Sequence, residues 1–589
     1  MQSVNPQQEI INSRLPIVTI GLVVISIALL FSLARFQQYP ASIQREFEIR
    51  EQSNISSVRR LPAVRGVIYD RDGVPLAFNV LQYEVGVSPN LIAGSETARR
   101  IAQELGVTLG LDEFEILQSI SDPTQSWQQI ARPVSAEVGQ EIADMDFLPI
   151  VINPLSRRSY PQGTLAAPLI GFVIDDNARG AMGVEASYND QLAGQPIDQT
   201  VSNIPFNTPT DFDSASQRGM DIVLTIDRDI QYWVELELQR AVEEQGATGG
   251  SIIVMDPRNG EILALANYPT FDPNHFEDVE NPDILRNAAI DSVYEPGSIM
   301  KVLTIAGAID LGVITPQWTY NDTGRLEVGG VVTQNWDRNA YGLVDTTQLL
   351  INSLNVGAAT VSLQMGPELF YTSLDRFGFG QPTRIDLRGE EGGIMRIPGE
   401  EGWSESDLAA NAYGQAISVT PLQMITAVSA IANDGLIYQP RVVRQIINGD
   451  EIRNPQPTVS RAISADTAHI LTNMMVRIVE ENPIYVENAR LEGYSIAGKT
   501  GTAQIASPLG YETCATCVIA SFIGFFPADD PQVLILVKLD RPRDYWGSVA
   551  AAPVFRNVAQ RLALLLGIPT DDVRLGLVNA GGVINDDGR

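Results

Sequence analysis

The sequence predicts an α+β protein with a single N-terminal transmembrane helix, an elongated pedestal domain and a C-terminal domain built on a central antiparallel sheet flanked by helices. Three observations support this prediction. One long apolar segment lies near the N-terminus, strand-like segments lie at both ends of the C-terminal part with helical patterns between them, and 589 residues exceed what one hydrophobic core organises.

The apolar segment Leu15–Ala34 is uncharged, and about 20 residues at about 1.5 Å each cross a hydrocarbon layer of about 30 Å. We therefore assign residues 15–35 to a membrane anchor and 1–14 to the tail before it. A cleaved signal peptide is the alternative, but the segment is long for one and no clean cleavage site follows. Arg14 and Arg35 balance across the segment, so flanking charge does not set its orientation.

The rest of the chain divides by composition. Residues 36–60 are rich in Gln, Glu and Arg and are expected to form a juxtamembrane linker that continues the helix. Residues 61–220 mix short strand-like runs, Pro/Gly turns and acidic helices, without a nucleophile motif or a metal cluster, which is typical of a pedestal. A second domain is predicted over 221–570, and 571–589 is left as a C-terminal tail.

The elements of the second domain follow from hydrophobic periodicity and turn residues. The segment Asp227–Val242 begins with an N-cap aspartate, and apolar residues recur every three to four positions to form one face, which predicts a capped helix. Two strand-like apolar runs, one on each side of the turn-forming residues Pro257–Gly260, predict a hairpin. The predicted strands are Asp221–Ile226, Ser251–Met255, Glu261–Leu265, Ser495–Gln504, Val518–Phe526 and Val533–Leu539, and Val549–Leu566 is predicted to be a closing helix.

The first of three polar motifs is Ser298-Ile-Met-Lys301. It follows the turn-forming run Tyr294-Glu-Pro-Gly297 and opens a helix-compatible stretch, so Ser298 is expected at a helix N-terminus, beside unpaired backbone N–H groups. Lys301, three residues later, lies on the same helix face and is placed to take the serine proton. A serine nucleophile with a lysine base is the chemistry that this spacing indicates.

Lysine acts as a base only when it is neutral, and a free lysine with a pKa of about 10.4 is almost fully protonated at pH 7. Burial and a second nearby cation both lower a lysine pKa. Lys499 is the expected second cation for Lys301.

The second motif is Ser353-Leu-Asn355. The Ser353 hydroxyl is suited to relaying a proton to a leaving amine, and the Asn355 amide to holding a substrate carbonyl or orienting Lys301. The apolar flanks would pack while these two polar groups project into a cleft.

The third motif, Lys499-Thr-Gly-Thr502, predicts an edge strand. Gly501 is expected to remove a side chain that would block the approach of a peptide. Thr500 and Thr502 would offer hydroxyls, and Lys499 a charge, to a substrate carboxylate. The backbone N–H groups of Ser298 and Thr502 are the expected oxyanion hole.

The three motifs in this order resemble those of the penicillin-binding proteins. The run Met255–Asn274 is similar to the opening of their transpeptidase domain, and Arg65–Gly73, Arg158–Pro161 and Gly183–Tyr188 resemble pedestal blocks of class B, monofunctional members. The resemblance implies a penicillin-binding transpeptidase domain of the β-lactamase-like fold over 221–570 and a dimerisation-type pedestal over 61–220. It also implies a cytoplasmic N-terminus and an extracytoplasmic catalytic domain.

For function, the resemblance implies a D,D-transpeptidase that cross-links peptidoglycan stem peptides through an acyl-enzyme on Ser298 and is inhibited by β-lactams. The division type is favoured over the elongation type. Expected partners are a membrane-embedded, FtsW-like lipid-II polymerase and other division proteins. A carboxypeptidase, a β-lactamase-like hydrolase, a β-lactam-sensing receptor and a non-catalytic wall-synthesis scaffold are the alternatives.

Charge and cysteine content limit the remaining options. A formal charge of −31 argues against nucleic-acid binding. No cofactor is expected. No metal is expected either, because His275 and His469 are the only histidines and neither is spaced as a zinc-binding partner of the two cysteines. Cys514 and Cys517 lie close together in a segment expected to face outside, where disulfides persist. A loop-tip disulfide is favoured over a redox motif or free thiols.

Overall fold

The computed structural model describes residues 19–20, 23–31, 56–61, 64–174, 179–194, 197–202, 218–507 and 510–577. They belong to two compact units, one drawn from residues 1–63 and 195–217 and the other from 64–194 and 218–589. In the first unit, residues 56–61 pair antiparallel with residues 197–202. The linker prediction is wrong at this point, because Ser56–Leu61 is a strand held by its partner rather than a continuation of the helix.

Of the predicted anchor, only residues 19–20 and 23–31 are described, and they are helical. Within the described ranges, no helix has both the length and the apolar character that crossing a membrane requires. The predicted tail 1–14, the rest of 15–35 and residues 36–55 lie outside the described residues.

The strands fall in chain order from the first unit to the end of the second. They are β1 (Ser56–Leu61), β2 (Ile68–Tyr69), β3 (Pro75–Val87), β4 (Gln128–Ser135), β5 (Ile150–Ser159), β6 (Val173–Ile174), β7 (Arg179–Gly180), β8 (Ile197–Ser202), β9 (Asp221–Leu224), β10 (Gly249–Asp256), β11 (Glu261–Tyr268), β12 (Thr319–Asp322), β13 (Arg325–Val328), β14 (Val331–Gln334), β15 (Gly342–Asp345), β16 (Leu436–Tyr438), β17 (Val443–Asn448), β18 (Glu451–Arg453), β19 (Val459–Arg461), β20 (Ala497–Gln504), β21 (Ala506–Ser507), β22 (Gly510–Tyr511), β23 (Val518–Phe526) and β24 (Val533–Asp540).

The α-helices of the second unit are numbered in the same way. They are α1 (Ser95–Leu109), α2 (Glu113–Ser119), α3 (Ala136–Asp144), α4 (Ala167–Ile170), α5 (Gly183–Ser187), α6 (Asn189–Leu192), α7 (Arg228–Gln245), α8 (Ala288–Asp291), α9 (Met300–Asp310), α10 (Thr346–Ile351), α11 (Asn355–Arg376), α12 (Glu405–Asn411), α13 (Pro421–Ala432), α14 (Ala465–Glu481), α15 (Pro483–Asn488), α16 (Gly547–Ala550), α17 (Ala552–Leu565) and α18 (Asp571–Arg574).

The central sheet has five antiparallel strands in the order β11-β10-β24-β23-β20. It joins the predicted hairpin, β10 and β11, to the predicted strands near the C-terminal end of the domain, β20, β23 and β24. This confirms the prediction of a sheet assembled from both ends of the domain. Helices α7, α13, α14 and α17 pack against it. The N-cap of α7 is Asp227, whose side chain accepts from the backbone N–H groups of Asp229 and Ile230, as the sequence predicts. Strand β20, which carries the third motif, lies at the edge of this sheet.

A second sheet joins the pedestal to the C-terminal domain. Its strand order is β18-β17-β9-β2-β3-β4, with β5 also paired to β3. Strand β9, directly after residue 220, pairs in parallel with β2 of the pedestal and antiparallel with β17. Hydrogen bonding is therefore continuous across the predicted boundary between 220 and 221.

The three pedestal blocks meet at one buried carboxylate. The guanidinium groups of Arg65 and Arg158 donate to Glu185 over 2.6 and 2.7 Å, and Glu185 is fully buried. Paired charges tolerate burial because each satisfies the other's hydrogen-bonding groups. The three sequence blocks that resemble the pedestal of the family therefore each supply one residue of a single buried ion cluster.

The C-terminal end differs from the prediction in two places. The closing helix is divided into α16 and α17 at Ala551, and Pro553 lies in the first turn of α17, where the absent N–H costs no helical bond. The predicted tail begins as packed structure, because Asp571 accepts from the backbone N–H of Ser495 over 2.6 Å. Residues 578–589 lie outside the described residues.

Candidate active site

Ser298 lies in a 3₁₀ turn, Gly297–Ile299, that leads directly into the buried helix α9. This confirms the predicted position at a helix N-terminus. Gly297 has a φ of +57°, which favours glycine, and its N–H donates to the carbonyl of Gly414 over 3.0 Å. The two glycines approach so closely that a Cβ on Gly414 would lie 2.1 Å from the Gly297 oxygen. Close packing and a hydrogen bond against Gly414 therefore hold the turn that carries Ser298 in place.

The side chain of Lys301 is fully buried beneath Ser298. Its Nζ lies 2.9 Å from Ser298 Oγ, 2.6 Å from the Ser353 carbonyl oxygen and 3.1 Å from Ser353 Oγ. Burial first, and then the positive charge of Lys499, holds the pKa of Lys301 well below its usual value. Both causes were expected from the sequence, and together they favour a neutral amine.

Ser353 connects the first motif to the third. It lies between α10 and α11 with a φ of +53°, a left-handed conformation that costs a non-glycine residue free energy and that recurs at functional sites. Its Oγ is 3.1 Å from Lys499 Nζ. The conformation places one hydroxyl between two lysines.

Asn355 lines the cleft. Two roles were expected for it, and one of them, orienting Lys301, is wrong. Its Nδ2 donates to the carbonyl of Gln334 over 2.8 Å. That bond holds the amide against the end of β14, on the wall of the cleft. The other expected role, holding a substrate carbonyl, stays a prediction.

The third motif lies on the edge strand, and Thr500 and Thr502 both line the cleft. Lys499 is fully buried, and its Nζ also lies 3.2 Å from the Thr500 carbonyl oxygen. Thr502 Oγ1 accepts from the backbone N–H of Gly547 over 2.9 Å.

The expected role of Gly501 needs correction. A Cβ at this position would lie 2.4 Å from Ser521 Oγ and 2.6 Å from the Pro296 carbonyl oxygen. The missing side chain thus makes room for the turn before Ser298 and for the neighbouring strand. The atoms that require glycine belong to the protein itself, not to a bound peptide.

Two further groups at the site belong to none of the three motifs. Tyr485, in α15, places its hydroxyl 3.3 Å from Lys499 Nζ. Glu295, three residues before the nucleophile, accepts from the Ala416 N–H over 3.0 Å and from the Tyr511 hydroxyl. Burial raises the pKa of Glu295 to about 7. The sequence analysis missed Tyr485 because no motif marks it. Glu295 lies in the run Tyr294–Gly297, which was interpreted only as a turn, so its carboxyl group was overlooked.

These elements enclose a cleft of about 200 Å³. Trp336 and Trp546 meet edge to face across it, with ring centroids 5.3 Å apart and an interplanar angle of 75°. The lining residues are Gly297, Ser298, Trp336, Ile351, Asn352, Ser353, Asn355, Tyr413, Gln415, Asn482, Ile484, Tyr485, Thr500, Thr502, Trp546, Ser548 and Val549.

Cys514 and Cys517 form a disulfide in the connection between β22 and β23. Beside it, the Arg541 guanidinium pairs with Glu512 over 2.7 Å. Within the described ranges, no group of three or more His, Cys, Asp or Glu side chains is arranged to hold a metal ion.

Comparison with known proteins agrees with this geometry. Residues 250–560 match the penicillin-binding protein transpeptidase domain, and residues 60–224 match the penicillin-binding protein dimerisation domain. Among curated proteins, the chain is 32% identical over 523 residues to stage V sporulation protein D of Bacillus subtilis strain 168, covering 86% of this chain and 78% of the relative. It is 28% identical over 565 residues to peptidoglycan D,D-transpeptidase FtsI of Escherichia coli K12, covering 94% and 92%.

A solved structure is similar over most of its length. Penicillin-binding protein 3 of Mycobacterium tuberculosis, complexed with aztreonam, superposes with a TM-score of 0.67 at 29% sequence identity. The match covers 87% of this chain and 98% of that structure. Both the pedestal and the domain that carries the three motifs are therefore shared with proteins of one family.

Proposed function

This chain belongs to the class B penicillin-binding proteins, and we propose that it is a serine D,D-transpeptidase that cross-links peptidoglycan stem peptides. One observation carries the proposal. A fully buried lysine, with its pKa held low, places its Nζ 2.9 Å from the hydroxyl of a serine at a helix N-terminus. Ser298 is the proposed nucleophile and Lys301 its base.

Hydrogen-bond counting supports a neutral Lys301. A neutral amine has two protons and one lone pair. The Ser353 carbonyl oxygen takes one proton and Ser353 Oγ the other, which leaves the lone pair for the Ser298 O–H. Lys499 Nζ has three acceptors around it, namely Ser353 Oγ, Tyr485 OH and the Thr500 carbonyl oxygen, as suits an ammonium group.

Acylation then proceeds with balanced proton transfer. Ser298 Oγ attacks the carbonyl of the penultimate D-alanine of a stem peptide, and its proton passes to Lys301. Collapse of the tetrahedral intermediate breaks the C–N bond, and the leaving D-alanine amine takes a proton. Since Ser353 Oγ accepts from both lysines, its own proton points to the cleft and is placed to protonate that amine. Lys301 then replenishes Ser353.

Transfer reverses these steps. An amine of a second stem peptide attacks the acyl carbon and gives a proton through Ser353 to Lys301. The ester C–O bond to Ser298 then breaks, and Lys301 returns the proton to Ser298 Oγ. The oxyanion would bind to the N–H groups of Ser298 and Thr502. The N–H of Thr500 points away from the sheet, and strand alternation directs the N–H of Thr502 to the same side.

The wider assignment extends this proposal. β-Lactams would acylate Ser298, a proposal supported by the aztreonam complex of the similar Mycobacterium tuberculosis protein. A role in division is favoured by the likeness to FtsI, and it implies a membrane-embedded lipid-II polymerase and other division proteins as partners.

An anchor over residues 15–35, with the catalytic domain outside the cytoplasm, would place the enzyme at its substrate. We also retain 61–220 and 221–570 as the proposed domain bounds.

The test is intact-mass spectrometry of the full chain in detergent, incubated with a simple penicillin beside Ser298→Ala. A stoichiometric adduct that maps to Ser298, lasts many minutes and is absent from the variant is expected. Rapid turnover of the drug without a lasting adduct would indicate a hydrolase, and no reaction at all would indicate a scaffold. Release of D-alanine that rises with an added acceptor amine would separate transfer from hydrolysis.

A further inference from the structure

Tyr485 is buried beside the third motif, with 5% of its surface exposed. Its hydroxyl lies 3.3 Å from Lys499 Nζ, 3.3 Å from the backbone nitrogen of Thr500 and within hydrogen-bonding distance of Thr500 Oγ1. All three neighbours belong to two consecutive residues of the edge strand. A single hydroxyl therefore contacts both the side chains and the main chain of this part of the motif.

The direction of these hydrogen bonds follows from their chemistry. An ammonium group and a backbone N–H can only donate, and a tyrosine hydroxyl has one proton and also accepts. Lys499 and the Thr500 N–H both donate to Tyr485, so the tyrosine proton goes to Thr500 Oγ1. The Thr500 hydroxyl then accepts from Tyr485, and its own proton is turned toward the cleft that it lines.

Thr502, two residues along the same strand, is oriented in the same sense. Its Oγ1 accepts from the Gly547 N–H over 2.9 Å, which leaves its own proton to be donated. The edge strand thus presents two hydroxyl donors on the cleft side, each fixed by a donor behind it. A carboxylate, which only accepts, is the group that such a pair binds best.

We propose that Tyr485 is a positioning residue that holds the Thr500 hydroxyl as a donor to the terminal carboxylate of the substrate. This rests on the proposed transpeptidase function and adds a determinant of carboxylate specificity from outside the three motifs. Tyr485 does not touch the reacting atoms. It acts through Thr500, and its effect belongs to binding rather than to bond breaking.

The variant Tyr485→Phe separates the hydroxyl from the ring. The ring packs near Phe522, with centroids 6.1 Å apart, and Lys499 Nζ lies 5.9 Å from its centroid. Phenylalanine keeps both contacts and removes the hydroxyl, which takes away the proton that orients Thr500 and the acceptor for Lys499 and the Thr500 N–H. With a penicillin, the concentration for half-maximal acylation is expected to rise about tenfold, a factor equal to about 1.4 kcal/mol, while the maximal acylation rate stays within about twofold.

The experiment measures acylation of the full chain in detergent by a penicillin and by the methyl ester of the same penicillin. It compares wild type, Tyr485→Phe, Thr500→Val and the double variant. Tyr485→Phe should weaken the reaction with the free acid and leave the ester unchanged, and it should add nothing in the Thr500→Val background. The control is Tyr494→Phe, which removes a hydroxyl bonded to the Ile568 carbonyl and should leave both reactions unchanged.

Equal losses with acid and ester, a loss confined to the maximal rate, or full additivity with Thr500→Val would overturn the proposal. If wild type forms no adduct on Ser298, the transpeptidase function itself fails. If wild type is acylated and Tyr485→Phe behaves identically with the free acid, only the role of Tyr485 is refuted.

Discussion

Lys301 and Lys499 converge on one oxygen, because each Nζ lies 3.1 Å from Ser353 Oγ. Both lysines are fully buried. Two charged ammonium groups this close, and out of water, would repel strongly, so the arrangement favours one neutral and one charged lysine. The contacts of Lys301 suit the neutral form and those of Lys499 the charged form. The charge of Lys499 thus lowers the pKa of the base. The buried Lys499 side chain does not itself line the cleft, so its expected contact with a substrate carboxylate stays a prediction.

Removing the charge of Lys499 should move the acidic limb of the acylation rate to higher pH. Lys301 is active when neutral, and the rate falls as pH drops through its pKa. Lys499→Met removes the second cause of the lowered pKa and leaves burial, so that pKa should rise toward, but not reach, its usual value. The pH dependence of penicillin acylation from pH 5 to 9 measures this. A limb at the same pH in both proteins would contradict the inferred coupling.

Replacing Ser353 should slow acylation by about 10²- to 10³-fold, since its hydroxyl links both lysines and carries the proton for the leaving amine. Ser353→Ala and Ser353→Gly both remove the hydroxyl, but only glycine adopts a φ of +53° without strain. We expect similar rates of acylation and a higher melting temperature for the glycine variant. Retention of the wild-type rate in Ser353→Gly would show that the hydroxyl is dispensable.

Gly501→Ala should destabilise the folded domain by about 2 kcal/mol or more, because the new methyl group would meet Ser521 Oγ and the Pro296 carbonyl. Ser521→Ala, combined with it, should recover only part of the loss, since the Pro296 oxygen remains. Thermal unfolding measures both. An unchanged melting temperature with selective loss of peptide turnover would instead restore the view that Gly501 makes room for substrate.

Glu295→Gln should flatten the pH dependence of stability. The pKa of Glu295 rises from its ordinary value of about 4.5 to about 7 on folding, so the folded state binds this proton more tightly. Stability from this group is therefore present at low pH and is lost as pH rises through about 7, with a full effect on the order of 3 kcal/mol.

Thermal unfolding between pH 5 and 8 tests this linkage, with wild type losing more stability than Glu295→Gln as pH rises. Glu235, whose pKa burial also raises to about 7, is present in both proteins and should leave a residual slope of the same sign. Parallel slopes for the two proteins would show that Glu295 is ionised in the fold throughout this range.

The three motifs and the central sheet were predictable because their signals are local. A serine and a lysine three residues apart meet on any helix, and alternating apolar runs beside a Pro/Gly turn form a hairpin wherever the chain places them. The family resemblance follows from the order of the motifs. The need for surroundings that lower the pKa of Lys301 followed from the ordinary pKa of lysine alone.

The positions of Tyr485 and Glu295, the true reason for Gly501 and the sheet across residue 220 required the tertiary structure. Tyr485 precedes Lys499 by 14 residues and reaches it only because α14 packs against β20 and α15 packs against α14. Contacts between distant segments depend on how whole elements pack, and no residue spacing records that geometry. The residues of the chain alone specify which chemical groups are present and which local structures carry them. Which groups share one oxygen, and where no room is left for a side chain, depends on how the distant elements pack.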